Sequence, residues 1–182
     1  MPGGDRVPPG LHPALRDLGP GRGHARLRVP QLPGGNPGRA RMSESALFKR
    51  TRTIEDEHVD LLGHVNNVVW INLVIDLATA HANSLGLDFE ATRKLGGIWI
   101  VRRHEIDYHQ PALPGEEVLE ETWISSLRGA RSVRNARFTR VKDGARLVSA
   151  VTHWAYVDVR TQRPRRIDPE ILEAFEVLQT AP

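Results

Sequence analysis

Residues 65–85, VNNVVWINLVIDLATAHANSL, decide the fold of this chain. At 1.5 Å per residue they predict a helix about 30 Å long. Apolar side chains lie on most sides of this helix, which is typical of a helix buried in a core rather than laid on a surface. The polar exceptions form one stripe at i, i+4, i+7 and i+11 spacing, namely Asn72, Asp76, Thr79 and Asn83.

The sequence on either side of this helix alternates with a period of two, which predicts strands. We expect strands over residues 47–54, 97–109, 116–126, 131–142 and 145–159, and short helices over residues 88–95 and 168–179. One long buried helix with five mostly antiparallel strands is an α+β plan. A single five-stranded sheet wrapped around one long central helix would cover that helix on several sides, so we expect this arrangement.

The last predicted strand is apolar on both faces. Leu147, Val151 and Ala155 share one face, which we expect to be the core face, while Trp154 and Tyr156 lie on the other. Because a second apolar face must also be covered, the pattern predicts contact with another subunit.

Residues 1–41 differ in composition from the rest of the chain. They contain nine Gly, eight Pro and seven Arg, no Phe, Trp or Tyr, and only two acidic residues, Asp5 and Asp17. Such a segment cannot bury enough apolar surface to offset its chain entropy, so we expect it to be disordered. It also lacks the apolar run of a secretory signal. We interpret it as a leader outside the native protein, with Met42 as the natural start and residues 42–182 as one folded domain.

Composition and charge exclude several classes of chemistry. The chain has no Cys, which excludes disulfides, thiolate zinc sites, iron–sulfur clusters and cysteine nucleophiles. The sequence isoelectric point is about 9.8 and the net charge is +3, but the excess of Arg lies in the leader. Residues 42–182 hold 18 basic against 20 acidic residues. We therefore expect no nucleic-acid partner.

Three further expectations concern metals, membranes and location. The histidines at positions 58, 104, 109 and 153 show no metal-ligand spacing, so we expect neither a metal nor a cofactor. No run approaches 18 apolar residues, so we expect no membrane span. A chain without Cys is compatible with a reducing compartment, and we expect a cytoplasmic protein.

The sequence DLLGHVNN at residues 60–67 lies immediately before the long helix. The first turn of a helix leaves N–H groups unpaired and carries a charge of about +0.5, which would polarise a carbonyl placed there. Asp60 in this loop could act as a general base or as a nucleophile. A structural interpretation stays open, since Asp before a helix is often a cap or turn former, and Asn66 and Asn67 can satisfy the helix start.

This loop, followed by Val-Val-Trp70, resembles the D-x-x-G-H-V-N-N-x-x-Y signature of hot-dog-fold acyl-CoA thioesterases, closest to the 4-hydroxybenzoyl-CoA thioesterase-like family. The resemblance continues at residues 105–112 and 128–132. It implies a hot-dog fold and a thioester hydrolase. It also implies Asp60 as the catalytic carboxylate and the backbone N–H of Asn67 as the oxyanion donor, with Gly63 and His64 in the catalytic loop.

The resemblance also implies the substrate contacts and the partners. Asn66 and Trp70 are expected substrate contacts. Arg128 and Arg131 are expected to contact the CoA phosphates, which match the planar fork of Arg, with Ser132 as a further donor. The alternative that both arginines are ordinary solvated charges of a turn stays open. The expected substrate is an acyl-CoA, or an acyl-carrier-protein (ACP) thioester. The expected assembly is a homodimer or homotetramer whose active site is shared between subunits.

Two departures from the signature and one open role remain. Trp70 stands where the family usually has Tyr, and Leu62 stands where plant acyl-ACP thioesterases carry an Asn, so their triad is not expected here. Asp76 lies on a mostly apolar helix, where a carboxylate needs a partner. We favour an Arg partner over a second catalytic role. The alternative function is a non-hydrolytic module of the same fold that binds acyl-CoA or acyl-ACP.

Overall fold

The computed structural model describes residues 46–180, so the interpretation of residues 1–41 as a leader lies outside the described residues. The strands are β1 (Phe48–Thr53), β2 (Gly97–Tyr108), β3 (Glu117–Arg128), β4 (Arg131–Arg140) and β5 (Arg146–Asp158). The helices are α1 (Asn67–Ser84), α2 (Phe89–Lys94) and α3 (Pro169–Ala174), and a short 3-10 helix covers Asp56–His58. The predicted order of elements is confirmed, although α3 ends five residues before the expected position.

The five strands form one antiparallel sheet in the order β1-β3-β4-β5-β2. β1 and β2 follow each other in the chain yet lie at opposite edges of the sheet, so the segment between them must cross one face. α1 makes this crossing and contacts β3 and β4. Register shifts between three of the strand pairs act as bulges, which bend the strands. The predicted sheet around a central helix is confirmed.

One side of α1 builds the main core. Trp70, Leu73, Val74 and Leu77 are buried against side chains of the sheet, and Trp70 meets Phe138 edge to face with ring centroids 5.2 Å apart. Such an aromatic contact adds to the free energy gained from burying the two rings. The four polar residues of the predicted stripe are all exposed. Within residues 46–180, α1 is therefore buried on one side and not on several.

The prediction for the faces of β5 was wrong. The face that meets α1 carries Val148, Ala150 and Tyr156, which are buried, and Trp154 shares it. Tyr156 lies in a second apolar cluster with Ile124 and residues from the C-terminal segment. Residues 164–175 fold back over this end of the sheet and supply the cover, so Tyr156 gives no support for a subunit contact.

A cluster of charged side chains joins β1, β3 and α1. Glu120 is fully buried and forms ion pairs with Arg50 and Arg52, and both guanidinium groups also bind the carboxylate of Asp76. Burial alone raises the pKa of Asp76, but the hydrogen bonds and positive charge of the two arginines outweigh it and hold the pKa below its usual value. The expected Arg partner of Asp76 is confirmed, and it ties α1 to the edge of the sheet.

Candidate active site

The loop before α1 is held by hydrogen bonds of its own backbone. The Asp60 N–H donates to the His64 carbonyl at 3.1 Å, and the Gly63 N–H donates to the Asp60 carbonyl at 3.0 Å. The carboxylate Oδ1 of Asp60 accepts from the Leu62 N–H at 2.8 Å. Gly63 has a φ of +79°, a left-handed conformation that residues with a Cβ rarely adopt. The sequence therefore fixes a tight turn that orients the Asp60 carboxylate.

Both ends of this loop are anchored. Val59 and Val65 form an isolated antiparallel bridge that closes the loop. The Asn66 N–H donates to the His58 carbonyl at 3.0 Å, and the Val65 N–H donates to the Ala112 carbonyl at 3.0 Å. The turn before β3 thus fastens the Asp60 loop to one end of the sheet.

The first turn of α1 holds a backbone donor that has no acceptor among residues 46–180. Asn66 is the N-cap, and its side chain accepts from the Val68 N–H at 2.8 Å, while its carbonyl accepts from the Trp70 N–H. The Asn67 N–H donates to no residue within 46–180, and Asn67 is exposed. The Tyr108 hydroxyl donates to the Asn67 carbonyl at 3.3 Å, which holds the end of β2 against this turn. An unpaired N–H at the positive end of a helix is suited to an anion or a polarised carbonyl.

Apolar side chains around this turn are in solvent. Leu61 and Leu62 are 106% and 77% exposed, and Val68 is 63% exposed. Asp60 and His64 are half-buried. Leu61, Leu62 and Val68 therefore leave apolar surface exposed beside this polar turn.

The structure does not bring the predicted phosphate contacts to this loop. Arg128 and Arg131 are exposed and face each other across the two-residue β3–β4 turn, in which Gly129 has a φ of +64°. That turn lies at the far end of β3 from the Asp60 loop. At about 3.3 Å per residue, the length of β3 separates them by roughly 35 Å. Within a single chain the two predicted groups therefore lie at opposite ends of β3.

Two other predicted contacts are placed in the interior. Trp70 is 2% exposed and packs in the main core, so its ring offers no open surface to a substrate. Ser132 is buried and faces a cavity between α1 and the sheet. It therefore does not share the exposed surface of Arg128 and Arg131.

Sequence reasoning missed the polar residues of that cavity. Arg134 on β4 is buried, contacts His81 of α1 at 2.8 Å and donates to Thr122 at 3.3 Å. Its position in a run of arginines at every third residue gave no sign of its burial. Only the inward direction of the even-numbered residues of β4 distinguishes it, and that direction follows from packing against α1.

Two further observations concern metals and membranes. Among residues 46–180, no three His, Asp or Glu side chains come together as a set of metal ligands. None of the helices in this part of the chain has the length and apolar character needed to span a bilayer.

Residues 45–175 match the family model described as the acyl-ACP thioesterase N-terminal domain. The chain therefore belongs to the acyl-ACP thioesterase family, and its fold is the hot-dog fold that the sequence motif led us to expect. The match lies in the acyl-ACP branch even though Leu62 replaces the Asn expected of its plant members. No curated protein sequence matches the chain.

Solved structures of thioesterases share this fold. An acyl-ACP thioesterase from Bacteroides thetaiotaomicron aligns with a TM-score of 0.66 at 23% identity, over 72% of this chain and 54% of that one. A 12:0-ACP thioesterase from Umbellularia californica aligns with a TM-score of 0.63 at 22% identity, over 71% of this chain and 51% of that one. A 1,4-dihydroxy-2-naphthoyl-CoA thioesterase from Synechocystis aligns with a TM-score of 0.66 at 16% identity, over 70% of this chain and 94% of that one.

The lengths of these structures differ in a consistent way. This chain spans about half the length of the two ACP thioesterases and nearly the whole of the CoA thioesterase. One hot-dog unit of this chain thus corresponds to half of the longer enzymes.

Proposed function

We propose that this chain is a thioester hydrolase that cleaves an acyl-CoA or acyl-ACP thioester to a free acid and a thiol. The observation that carries the proposal is the Asp60 loop, which orients a carboxylate immediately before a helix start whose Asn67 N–H has no acceptor within residues 46–180. Membership of the acyl-ACP thioesterase family supports the same chemistry.

The proposed reaction uses this loop as follows. The thioester carbonyl oxygen accepts from the Asn67 N–H at the positive end of α1, which stabilises the oxyanion as it develops. Asp60 either takes a proton from the attacking water or attacks the acyl carbon itself, giving a mixed anhydride that water then hydrolyses. In both routes a C–O bond forms, the C–S bond breaks and the thiolate gains a proton. Gly63 and His64 position the carboxylate through the backbone of the turn.

The proposal includes a homodimer, because one chain separates the Asp60 loop from Arg128 and Arg131. β2 lies at the edge of the sheet and pairs only with β5 among the described strands, so its other side is open to a second chain. In a two-fold dimer two copies of β2 would pair antiparallel. The Tyr108 end of one copy, which holds α1, would then lie beside the Gly97 end of the other.

This pairing would complete the site. β5 joins the Gly97 end of β2 to the β3–β4 turn, since Gly97 is opposite Asp158 and Arg131 is opposite Ala155. The Asp60 loop of one subunit would therefore face Arg128 and Arg131 of the other, at a separation that an extended CoA or a carrier-protein arm can bridge. The exposed Leu61, Leu62 and Val68 would be covered by the same contact. A cytoplasmic location also belongs to the proposal.

Thiol release tests this function directly. Purified protein is mixed with acyl-CoA and acyl-ACP substrates of different chain lengths, and the free thiol is followed with a thiol reagent, which meets no Cys in the protein. Turnover with at least one series is expected. Binding of acyl-CoA without thiol release from any substrate would contradict hydrolysis and would favour the non-hydrolytic binding module.

A further inference from the structure

A cavity of about 220 Å³ lies between the second half of α1, α2 and the inner face of the sheet. Its wall is largely apolar and includes Ile75, Ala78, Leu87, Trp99 and Phe175. If each heavy atom takes about the 30 Å³ that a water occupies, the cavity has room for about seven heavy atoms. A short aliphatic or aromatic group fits this space.

The guanidinium of Arg134 lines this apolar cavity. Arg134 is 8% exposed, and both of its hydrogen bonds are made by Nη1, at 2.8 Å to His81 Nδ1 and 3.3 Å to Thr122 Oγ1. Nε and Nη2 donate to no residue within 46–180, and no carboxylate in that range forms an ion pair with Arg134. The ring of Phe175 lies 5.4 Å from the guanidinium carbon, a cation–π contact that offsets only part of the cost of burying the charge.

The other buried charges of the sheet are paired. Glu120 binds two arginines, and Glu121 binds Lys49 and Arg137. Burial lowers the pKa of Arg134 to about 10, so its guanidinium stays charged at neutral pH. A charged group that is buried without an opposite charge destabilises the folded chain. Proteins commonly keep a destabilising group of this kind where it binds a ligand.

A second donor in the same wall also has no acceptor. Trp154 lines the cavity, and its indole N–H is buried without a hydrogen-bond partner among the described residues. Trp154 lies opposite Ser132 on β4, whose hydroxyl faces the same cavity. Arg134 and Trp154 can only donate hydrogen bonds, so these two groups of the wall require an acceptor.

We propose that this cavity is a binding site for a short apolar carboxylate, with the guanidinium of Arg134 as its anion contact and the apolar wall around its hydrocarbon part. The carboxylate has two possible sources. It is either the far end of an ω-carboxyacyl thioester, which rests on the proposed function, or a free acid that binds independently of hydrolysis. An ω-carboxyacyl thioester is compatible with the proposed dimer. Trp99 and Trp154 line the cavity and lie towards the Gly97 end of β2. In the dimer, the Asp60 loop of the second subunit would lie at this end.

Binding of free ligands tests the site without any catalysis. Hexanoate and 1-hexanol share a hydrocarbon chain of nearly the same length and differ in the charged end. Isothermal titration, with the fluorescence of Trp99 and Trp154 as a second readout, is expected to show hexanoate binding at least tenfold more tightly at pH 7. Equal affinities in the wild-type chain would overturn the proposal without recourse to any variant.

Variants assign the effect to Arg134. In Arg134→Met the preference for hexanoate is expected to disappear, and the melting transition shows that the variant is folded. Arg134→Lys, which keeps the charge but loses the planar fork, is expected to retain part of the preference. Arg93→Met removes an exposed guanidinium from α2, outside the cavity, and is expected to bind like the wild type. A preference that persists in Arg134→Met, or that is lost equally in Arg93→Met, would refute the assignment.

Thioester substrates separate the two sources. If the ligand is the end of the acyl group, adipoyl-CoA is hydrolysed with a higher kcat/KM than hexanoyl-CoA, and Arg134→Met reverses this order. If the ligand is a free acid, the two thioesters are hydrolysed alike while hexanoate still binds through Arg134. Binding that depends on Arg134, with no hydrolysis of either thioester, would contradict the proposed function and leave the carboxylate site standing.

Discussion

Glu120 has the most completely enclosed carboxylate of the charged cluster, and it depends on Arg50 and Arg52 for its stability. Removing one member of a buried ion pair leaves the others desolvated without compensation. Glu120→Ala is therefore expected to lower the free energy of unfolding by about 3 kcal/mol, measured by urea denaturation. Glu90→Ala, which removes the carboxylate of an exposed ion pair with Arg93, should leave it almost unchanged. Equal effects of the two substitutions would show that the cluster is not a stabilising element.

Glu121 provides a prediction for acid stability. Burial alone raises its pKa, but hydrogen bonds and charge from Lys49 and Arg137 outweigh this effect and lower the pKa below the usual 4.5. A carboxylate with a lowered pKa stabilises the fold above its unfolded pKa and loses that contribution as the pH falls through its folded value. Glu121→Gln should therefore be less stable than the wild type at pH 7, and the two free energies of unfolding should converge below pH 4.5. A constant difference across this range would contradict the pairing.

The arginine run on β4 shows where residue patterns reach their limit. Arg131, Arg134 and Arg137 recur at every third position, so successive members lie on opposite faces of a strand. The sequence does not say which face meets α1, so nothing in it distinguishes the buried Arg134 from the exposed Arg131 and the partly buried Arg137. The Asp60 loop was easier to interpret, because Gly63 and the N-cap Asn66 have local backbone roles that do not depend on distant packing.

At the scale of elements, the long apolar helix and the change to a period of two were sufficient to predict the order of strands and helices. The faces of β5 were not predictable, since Leu147 and Val148 are both fully buried and alternation is lost there. Leu147 and Val148 lie in the main core, whereas Tyr156 further along β5 is covered by residues 164–175, which return over the sheet from the C-terminal side. Local sequence patterns predict which residues form helices and strands, while long-range contacts determine which face of each element is buried.

Arg128 and Arg131 at the β3–β4 turn are the proposed contacts of the CoA phosphates. Arg128→Ala combined with Arg131→Ala should raise KM for an acyl-CoA and spare a short acyl thioester that lacks the nucleotide, because binding and not chemistry is lost. Lys142→Ala combined with Arg146→Ala removes two exposed positive charges at the opposite end of β4. That control should leave KM near the wild-type value. If the control variant raised KM for acyl-CoA more than the Arg128, Arg131 variant does, the phosphates would instead bind at the end of the sheet that holds the Asp60 loop of the same chain.

At the scale of the whole molecule, the separation of Asp60 from Arg128 and Arg131 predicts a dimer with shared sites. Light scattering at micromolar concentration should give twice the mass of the chain. Mixing inactive Asp60→Asn protein with Arg128→Ala, Arg131→Ala protein under conditions of subunit exchange should restore activity at low acyl-CoA, since mixed dimers contain one intact site. A fully active monomer, or no recovery in verified mixed dimers, would contradict the shared site.

Asp60 carries out the proposed chemistry, and the turnover of Asp60→Asn tests this role most directly. The substitution preserves size, and the Asn Oδ1 can still accept from the Leu62 N–H, so the loop and the assembly should be unchanged. We predict that kcat for the preferred acyl thioester falls by about 10²–10⁴ while light scattering and the melting temperature match the wild type. A folded Asp60→Asn protein with kcat close to that of the wild type would contradict the catalytic role of Asp60.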